Sequence, residues 1–343
     1  WTWIQSVRKR MKIGVIFVIL VLFAFYSFSS LAHHGFAVYF HPDRTITIEG
    51  IIAQYEFVNP HSVLYIESTD GAGDKVMYTC ALQAKTQLVR RGADENLFVI
   101  GDPIKIVGFP ARRDPYGCEF GTGYFANGET FTMRSVDEAQ TQFARNERRV
   151  INQGVDAIYG NWIRPDIYGA AGLTMPTIGK NSITPEGEKI VVNYDRAHEN
   201  PTIQCDPGSP VRTWGAPGLL TSIRREDNKI IIHHESMDWI RTIHLDIDEH
   251  PENFERNSMG HSIGRFEENV LVINTSKFPE GILAYDIAHT DEMTLEEKIS
   301  FNPQTGNLDI YWAMNEPNYY LDPISGGQSL ESTTDEFIPY GCT

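Results

Sequence analysis

The amino-acid sequence predicts a mainly β protein, with a small barrel followed by a larger antiparallel β domain. Three observations support this class: short runs of alternating apolar and polar residues, clusters of Gly, Asn, Asp and Pro between them, and few segments with helical periodicity. The roughly 310 residues after position 32 exceed one ordinary core. We therefore divide the chain into a leader (1–32), a small β-barrel domain (33–134), a helical connector (135–155) and an antiparallel β domain (156–343).

The leader has the composition of an export signal. A basic cluster precedes the apolar run 13–28, which is shorter than the roughly 20 residues that a membrane-spanning helix needs. Ser30 and Ala32 are small residues at the positions that a signal peptidase requires. We expect cleavage after Ala32 and a periplasmic or extracellular protein, with an uncleaved membrane anchor as the alternative.

The small barrel is predicted from alternating runs and the turn cluster 70–74. The predicted strands cover 45–52, 62–68, 75–80 and 104–109, with one short helix over 84–91. Five or six short strands with one small helix are typical of an OB-like barrel. The polar segment 135–150 lacks Gly and Pro, and Ser135 with Glu138 forms a capping-box pattern, so this segment predicts the helical connector.

The second half contains further β-type runs joined by turns of hairpin length. The predicted strands cover 229–235, 239–247, 270–274, 295–301 and 308–314. Such a meander predicts a sandwich or an up-and-down barrel, and Gly160-Asn161-Trp162 resembles the start of lipocalin-like barrels. Thr184 as N-cap and Pro185 at the first helical position predict one helix over 184–194.

The four cysteines, Cys80, Cys118, Cys205 and Cys342, are widely spaced and form no C-x-x-C pair. This spacing argues against zinc-ribbon and thioredoxin sites. In an oxidising compartment two disulfides are expected, with Cys80–Cys118 as the favoured pair. Four buried or free thiols are the alternative.

The charge and the motifs exclude several functions. The formal net charge is −16, and loss of Arg8, Lys9, Arg10 and Lys12 with the leader would bring it to −20. Nucleic acid and anionic membranes bind clustered Lys and Arg, so neither is an expected partner of the processed chain. The sequence has no phosphate-binding glycine loop, dinucleotide fingerprint or serine-hydrolase elbow, so no nucleotide cofactor is expected.

Two parts of the chain resemble exported bacterial families of unknown function. Within 32–134 the resemblance rests on the histidine pair after Ala32, Glu49-Gly50, Asn59-Pro60-His61 and Leu88-Val89-Arg90-Arg91-Gly92. In the second half it rests on His250-Pro251 and on the Gly260–Glu267 motif, in which Phe266 stands where that family has Trp. Both resemblances imply an exported protein and supply no activity.

The histidine pair predicts a transition-metal site. Cleavage after Ala32 would give His33 a free amine beside its imidazole, a chelate that suits copper, with His34 next to it. His61 is the expected third ligand, with His34 and His41 as alternatives. The alternative is a flexible polar start of the chain and a hydrogen-bonded structural His61, which is the more usual role of a single histidine in a barrel loop.

Histidines and carboxylates also gather in the second half. His244, Asp246, Asp248 and His250 alternate along the predicted strand 239–247 and its extension, so they would share one face, most simply a solvated one.

A functional alternative is a site built from residues that carry the second resemblance. Its candidate catalytic residues are Glu235, Arg241, His250, His261 and His289. Arg241 would pair with Glu235 across a hairpin. The three histidines would form a metal site or an acid–base set.

The leading hypothesis from the sequence is an exported binding protein. Its ligand would be a transition metal such as copper at His33, His34 and His61, or a small molecule in the second β domain. The alternatives are an enzyme with the second-half site, and a structural component of the envelope or of an extracellular assembly.

Overall fold

A computed structural model describes residues 39–133, 153–164, 182–195, 199–284 and 287–342. The predicted leader, His33, His34 and the connector up to residue 152 lie outside the described residues. Among the described residues, no helix is both long and apolar enough to cross a membrane.

The first half forms the predicted small barrel. Its elements are β1 (Ile46–Glu56), β2 (Val63–Thr69), β3 (Lys75–Ala81), α1 (Lys85–Arg90), β4 (Pro103–Pro110), β5 (Gly117–Phe125) and β6 (Thr130–Thr132). The strand order is β3-β2-β1-β4-β5-β6, and a parallel pairing of β3 with β5 closes a five-stranded barrel. Leu64, Ile66, Ile106 and Phe120 are buried in its core. The sequence pattern missed β5 because three glycines interrupt its alternation.

The predicted disulfide between Cys80 and Cys118 is confirmed. The two residues face each other in the parallel β3–β5 pair, with their Cα atoms 4.4 Å apart. This disulfide therefore lies at the closure of the small barrel. The remaining cysteines, Cys205 and Cys342, form a second disulfide that spans 137 positions of the chain.

The second half forms a larger closed barrel of nine strands. They are β7 (Gly160–Ile163), β8 (Leu220–Glu226), β9 (Lys229–His234), β10 (Trp239–His244), β11 (His261–Glu267), β12 (Val270–Ser276), β15 (Thr294–Asn302), β16 (Asn307–Asn315) and β17 (Ile324–Ser332). A ring with an odd number of strands cannot alternate direction throughout, and the β10–β11 pair is parallel. This pair is joined by the long loop 245–260.

Smaller elements accompany this barrel. They are a hairpin of β13 (Gly281–Ala284) and β14 (Ile287–His289), the helices α2 (Pro185–Asn193) and α3 (Pro210–Trp214), and 3₁₀ turns at Gly154–Ile158, Pro201–Gln204 and Ser236–Asp238. The predicted helix is α2, which begins with Thr184 as N-cap and Pro185 at its first position. Trp214 of α3 packs against inward-facing residues of the barrel, including Ile223 and Ile232.

One predicted strand is too long. β10 ends at His244, the residue that pairs with Lys229 at the start of β9, and the chain then enters the loop 245–260. The expectation that Asp246, Asp248 and His250 share a strand face with His244 is therefore wrong. β10 stops because its antiparallel partner β9 begins there, which an alternation pattern alone cannot show.

Candidate functional site

Three histidines, His244, His250 and His261, form a cluster on the outer face of the larger barrel. His244 ends β10 and His261 begins the adjacent β11, and their rings stack with centroids 5.0 Å apart. His250 comes from the loop 245–260 and meets His261 edge to face at 5.1 Å. Phe254 of the same loop covers another side of His261, with ring centroids 4.9 Å apart. We call these three residues the histidine cluster.

A glycine fixes the chain at the start of β11. Gly260 has a φ of +64°, and a Cβ at this position would lie 2.6 Å from the Ser276 carbonyl oxygen. Only glycine fits both the left-handed conformation and this close approach. The Gly260-His261 step of the motif therefore sets where His261 enters the cluster.

Hydrogen bonds define which ring nitrogens carry protons. His250 Nε2 lies 2.9 Å from Asn274 Oδ1, and His250 Nδ1 lies 2.9 Å from His261 Nδ1. An amide oxygen accepts hydrogen bonds, so His250 Nε2 donates to Asn274. In the neutral ring His250 Nδ1 then has a lone pair and accepts the Nδ1–H of His261. Asn274 thus orients His250 toward His261.

Two histidines of the cluster, His244 and His261, favour the uncharged imidazole. The pKa of His261 is lowered to about 4, chiefly by desolvation and further by the nearby His250, His244 and Lys277. Desolvation is also the main cause that lowers the pKa of His244. At neutral pH His261 is therefore neutral, the form in which an imidazole nitrogen accepts a proton or binds a metal ion.

A second polar group lies inside the barrel, on the opposite face of the same strands. Arg241 donates to both carboxylate oxygens of Glu297, to Ser262 Oγ at 3.0 Å and to Thr275 Oγ1 at 2.7 Å. Trp214 Nε1 donates to Glu297 Oε1 at 2.7 Å. All five side chains are buried. These contacts satisfy the ion pair within the interior, as a buried pair requires.

The predicted pairing of Arg241 with Glu235 is wrong. Arg241 is in register with Ile232 and points into the barrel, whereas Glu235 follows the last residue of β9 and leaves it. The partner of Arg241, Glu297, comes from β15, a strand distant in sequence. Glu235 instead accepts two hydrogen bonds from Arg90 of α1, at 2.6 and 2.7 Å.

Further donors surround Glu235. Its carboxylate also accepts the backbone N–H of Leu220 at 2.9 Å and of Ile338 at 2.7 Å. The contact therefore joins the small barrel, the larger barrel and the end of the chain. We call this region the seam, and it consists of Asn59, Arg90, Glu235, Asp238 and residues 335–342.

His289 does not join the histidine cluster. It lies in β14, its ring contacts Phe278, and its Nδ1 is 3.0 Å from the Thr290 carbonyl oxygen. Of the five candidate catalytic residues, the structure therefore brings together His250 and His261. Glu235 lies in the seam and Arg241 lies inside the barrel.

The metal ligands proposed for the first half are described in part. His61 lies at the surface, but neighbouring groups desolvate its ring and lower its pKa. A backbone hydrogen bond with Leu82 shifts this pKa in the opposite direction. His41 Nε2 faces the Arg44 guanidinium, so His41 is committed to another contact. Within the described ranges, no group of three or more His, Cys, Asp or Glu residues is arranged to hold a metal ion.

Two residues of these sites were not predicted from the sequence. Glu297 shares a face of β15 with the buried Leu295 and Ile299, so strict alternation would have shown an inward carboxylate. Asn274 lies between Ile273 and Thr275, both buried, and the same rule turns its side chain outward. Which histidine Asn274 contacts depends on the loop 245–260, whose path has no periodic signal.

Comparison with known proteins agrees with the resemblance of the first half. Residues 22–119 match the model of a family of unknown function, DUF6152. The matched range includes Asn59 and Arg90, both of which belong to the seam. No curated protein matches the chain. The two disulfides are typical of exported proteins.

Proposed function

We propose that this is an exported metal-binding protein that holds a divalent transition-metal ion, preferentially Cu(II), at the histidine cluster. The observation that carries the proposal is the pair of Nδ1 atoms of His250 and His261, which lie 2.9 Å apart. Metal–nitrogen bonds are about 2.0–2.1 Å long. Two such ligands at a right angle lie about 2.9 Å apart, and at a tetrahedral angle about 3.3 Å apart. The observed spacing fits adjacent corners of a square-planar site, the geometry of Cu(II).

The surroundings of the two rings support a ligand role. Histidines that bind metals usually donate their other ring N–H to a carbonyl or carboxylate, which fixes the ring. His250 donates Nε2–H to Asn274 Oδ1 and turns its Nδ1 toward His261. Metal binding would replace this hydrogen bond. His261 would change to the tautomer protonated at Nε2, and rotation of the rings would direct the two Nδ1 lone pairs to the ion. The stacked His244 is the nearest further imidazole, and water would occupy the remaining positions.

The test is copper titration of the processed protein, followed by calorimetry and electron paramagnetic resonance. The variants are His250→Gln, His261→Gln and Asn274→Ala, with His233→Gln as the matched control outside both proposed metal sites. We expect one Cu(II) per chain with nitrogen couplings from two imidazoles. His250→Gln and His261→Gln should each abolish this signal, the control should retain it, and Asn274→Ala should weaken copper binding by about 10–100-fold.

A variant with one additional residue before His33 distinguishes the two metal hypotheses, namely a site at the amino terminus and a site at the histidine cluster. If this extension removes the copper and the cluster variants retain it, the ion belongs to the amino terminus and the present proposal is wrong. If no variant and no wild-type protein binds copper, both metal sites are wrong. The His250–His261 pair would then be tested as an acid–base pair.

A second candidate function is supported by the barrel interior. His234 Nε2 and Gln328 Nε2 are buried without a hydrogen-bond partner among the described residues, and His234 packs against Trp214 at 4.8 Å. Buried polar atoms normally bind protein, water or a ligand. A small polar molecule bound at either atom would be detected by native mass spectrometry of protein purified from its source. Electron density for water alone would contradict it.

A further inference from the structure

The last described residues of the chain lie in the seam as an extended segment. Residues 335–342 have no regular secondary structure, but several groups hold them. The backbone N–H of Ile338 donates to Glu235, and the N–H groups of Tyr340 and Gly341 donate to Asp238 at 2.6 and 2.7 Å. These contacts recognise the backbone and are independent of the side chains of the segment.

The small barrel holds the carbonyl groups of the same segment. Arg90 donates to the carbonyl oxygen of Glu336 at 3.0 Å, and the Asn59 amide donates to the carbonyl oxygen of Tyr340. Asn59 also accepts the backbone N–H of Thr86 in α1, so its amide is fixed. Carboxylates on one side and amide and guanidinium groups on the other therefore match an extended peptide.

Two side chains of the segment occupy defined places. Tyr340 is 5% exposed and packs in a cluster with Ala84 of the small barrel and Leu219 of the larger one. Phe337 stacks on His233, with ring centroids 4.0 Å apart. Backbone hydrogen bonds combined with pockets for separate side chains are the usual means of peptide recognition.

The turn after β9 has an unusual conformation that places Asp238 next to the segment. Met237 and Asp238 have φ values of 60° and 53°, so two successive non-glycine residues adopt the left-handed conformation. Such residues are uncommon and cost free energy. The turn directs the Asp238 carboxylate toward the backbone of Tyr340 and Gly341.

We infer that Asn59, Arg90, Glu235 and Asp238 of the seam form a peptide-binding groove for an extended segment with an aromatic residue, and that its present occupant is residues 335–342 of the same chain. The Cys205–Cys342 disulfide tethers this occupant. The groove would accept the same kind of peptide from another molecule when the tether and the covalent connection are cut. This inference does not depend on metal binding at the histidine cluster.

The experiment starts from the complete chain, so that folding occurs with the segment present. Cys205 and Cys342 are replaced by Ala, and a protease recognition sequence is inserted after the exposed Thr334. The folded protein is cut and then mixed with a fluorescent synthetic peptide of residues 335–343 with Cys342→Ala. Fluorescence anisotropy measures exchange, and circular dichroism monitors the fold.

We expect the labelled peptide to replace the cut segment reversibly and with saturation. A peptide with Tyr340→Ala should bind at least tenfold more weakly, and Asp238→Ala in the protein should have an effect of similar size. Lys75 forms an exposed ion pair with Glu67 and lies far from the segment in sequence. Lys75→Ala is therefore the matched control and should leave peptide binding unchanged. If the cut protein stays folded and binds no peptide, or if it unfolds when the segment leaves, the segment is structural and the inference is overturned.

Discussion

Two arginine–glutamate pairs in this protein have the same chemistry and different surroundings. Arg241 and Glu297 meet inside the larger barrel, with exposed side-chain fractions of 2% and 0%. Arg90 and Glu235 meet in the seam, where 12% of the Arg90 side chain is exposed. Glu235 has two backbone N–H donors besides its arginine, whereas Glu297 has the Trp214 indole. The cost of breaking a buried pair therefore depends on which hydrogen-bond donors remain at the carboxylate when the arginine is lost.

The largest expected effect is on the inner pair. Arg241→Ala leaves the Glu297 carboxylate buried, and breaking such a pair costs about 3–5 kcal/mol. Urea unfolding followed by tryptophan fluorescence measures the change. The double variant Arg241→Met with Glu297→Leu removes both charges and should recover most or all of this loss. A double variant no more stable than Arg241→Ala would show that the pair holds the barrel through its hydrogen bonds to Ser262 and Thr275.

The same comparison shows what the sequence could predict. Alternation located most of the strands in the two barrels, and Arg241 and Glu235 were selected as candidate catalytic residues. Their partners could not be found, because Glu297 reaches Arg241 only through the closure of a nine-stranded ring and Arg90 reaches Glu235 from another barrel. Pairing across a hairpin was the nearest local choice, and it was wrong.

Local signals were more reliable. Thr184 and Pro185 gave the start of α2, and the separation of Cys80 from Cys118 within the first half gave the correct disulfide. For the histidine cluster the sequence selected His250 and His261. It could not show that His289 lies elsewhere, since no periodic pattern fixes the position of the β13–β14 hairpin.

The second prediction concerns the Cys205–Cys342 disulfide, which tethers residues 335–342, the segment that contacts Glu235. Replacing Cys205 and Cys342 by Ala removes a cross-link over 137 positions, and loss of a disulfide typically costs about 2–4 kcal/mol. The loss arises largely from greater freedom of the unfolded chain. Calorimetric melting measures the change, with mass spectrometry to verify that Cys80–Cys118 is intact. A melting temperature equal to that of the wild type would mean that the hydrogen bonds in the seam suffice to hold the segment.

The third prediction concerns the seam pair. Arg90→Ala should cost about 1.5–3 kcal/mol, less than Arg241→Ala, because the Leu220 and Ile338 N–H groups continue to stabilise the Glu235 carboxylate. Urea unfolding under the same conditions gives the comparison. The exposed pair of Lys75 with Glu67 is the control, and Lys75→Ala should leave the free energy of unfolding unchanged within the error of the measurement. An effect of Arg90→Ala as large as that of Arg241→Ala would contradict the proposed role of the backbone donors.

The smallest expected change in stability comes from His234, an uncharged residue near the inner pair, and it depends on pH. Burial holds the pKa of His234 well below its usual value, and the charge of Arg241 lowers it further. The unfolded chain takes up a proton near pH 6.5, and the folded protein does not. Unfolding is therefore favoured as the pH falls below about 6.5, and above that pH this term is constant. The stability difference between wild type and His234→Gln should fall by about 1.4 kcal/mol per pH unit at pH 5–6. Urea unfolding at pH 7.5, 6 and 5 measures it, and His233→Gln controls for a less buried neighbour. A difference independent of pH would mean that the barrel interior holds a second positive charge beside Arg241.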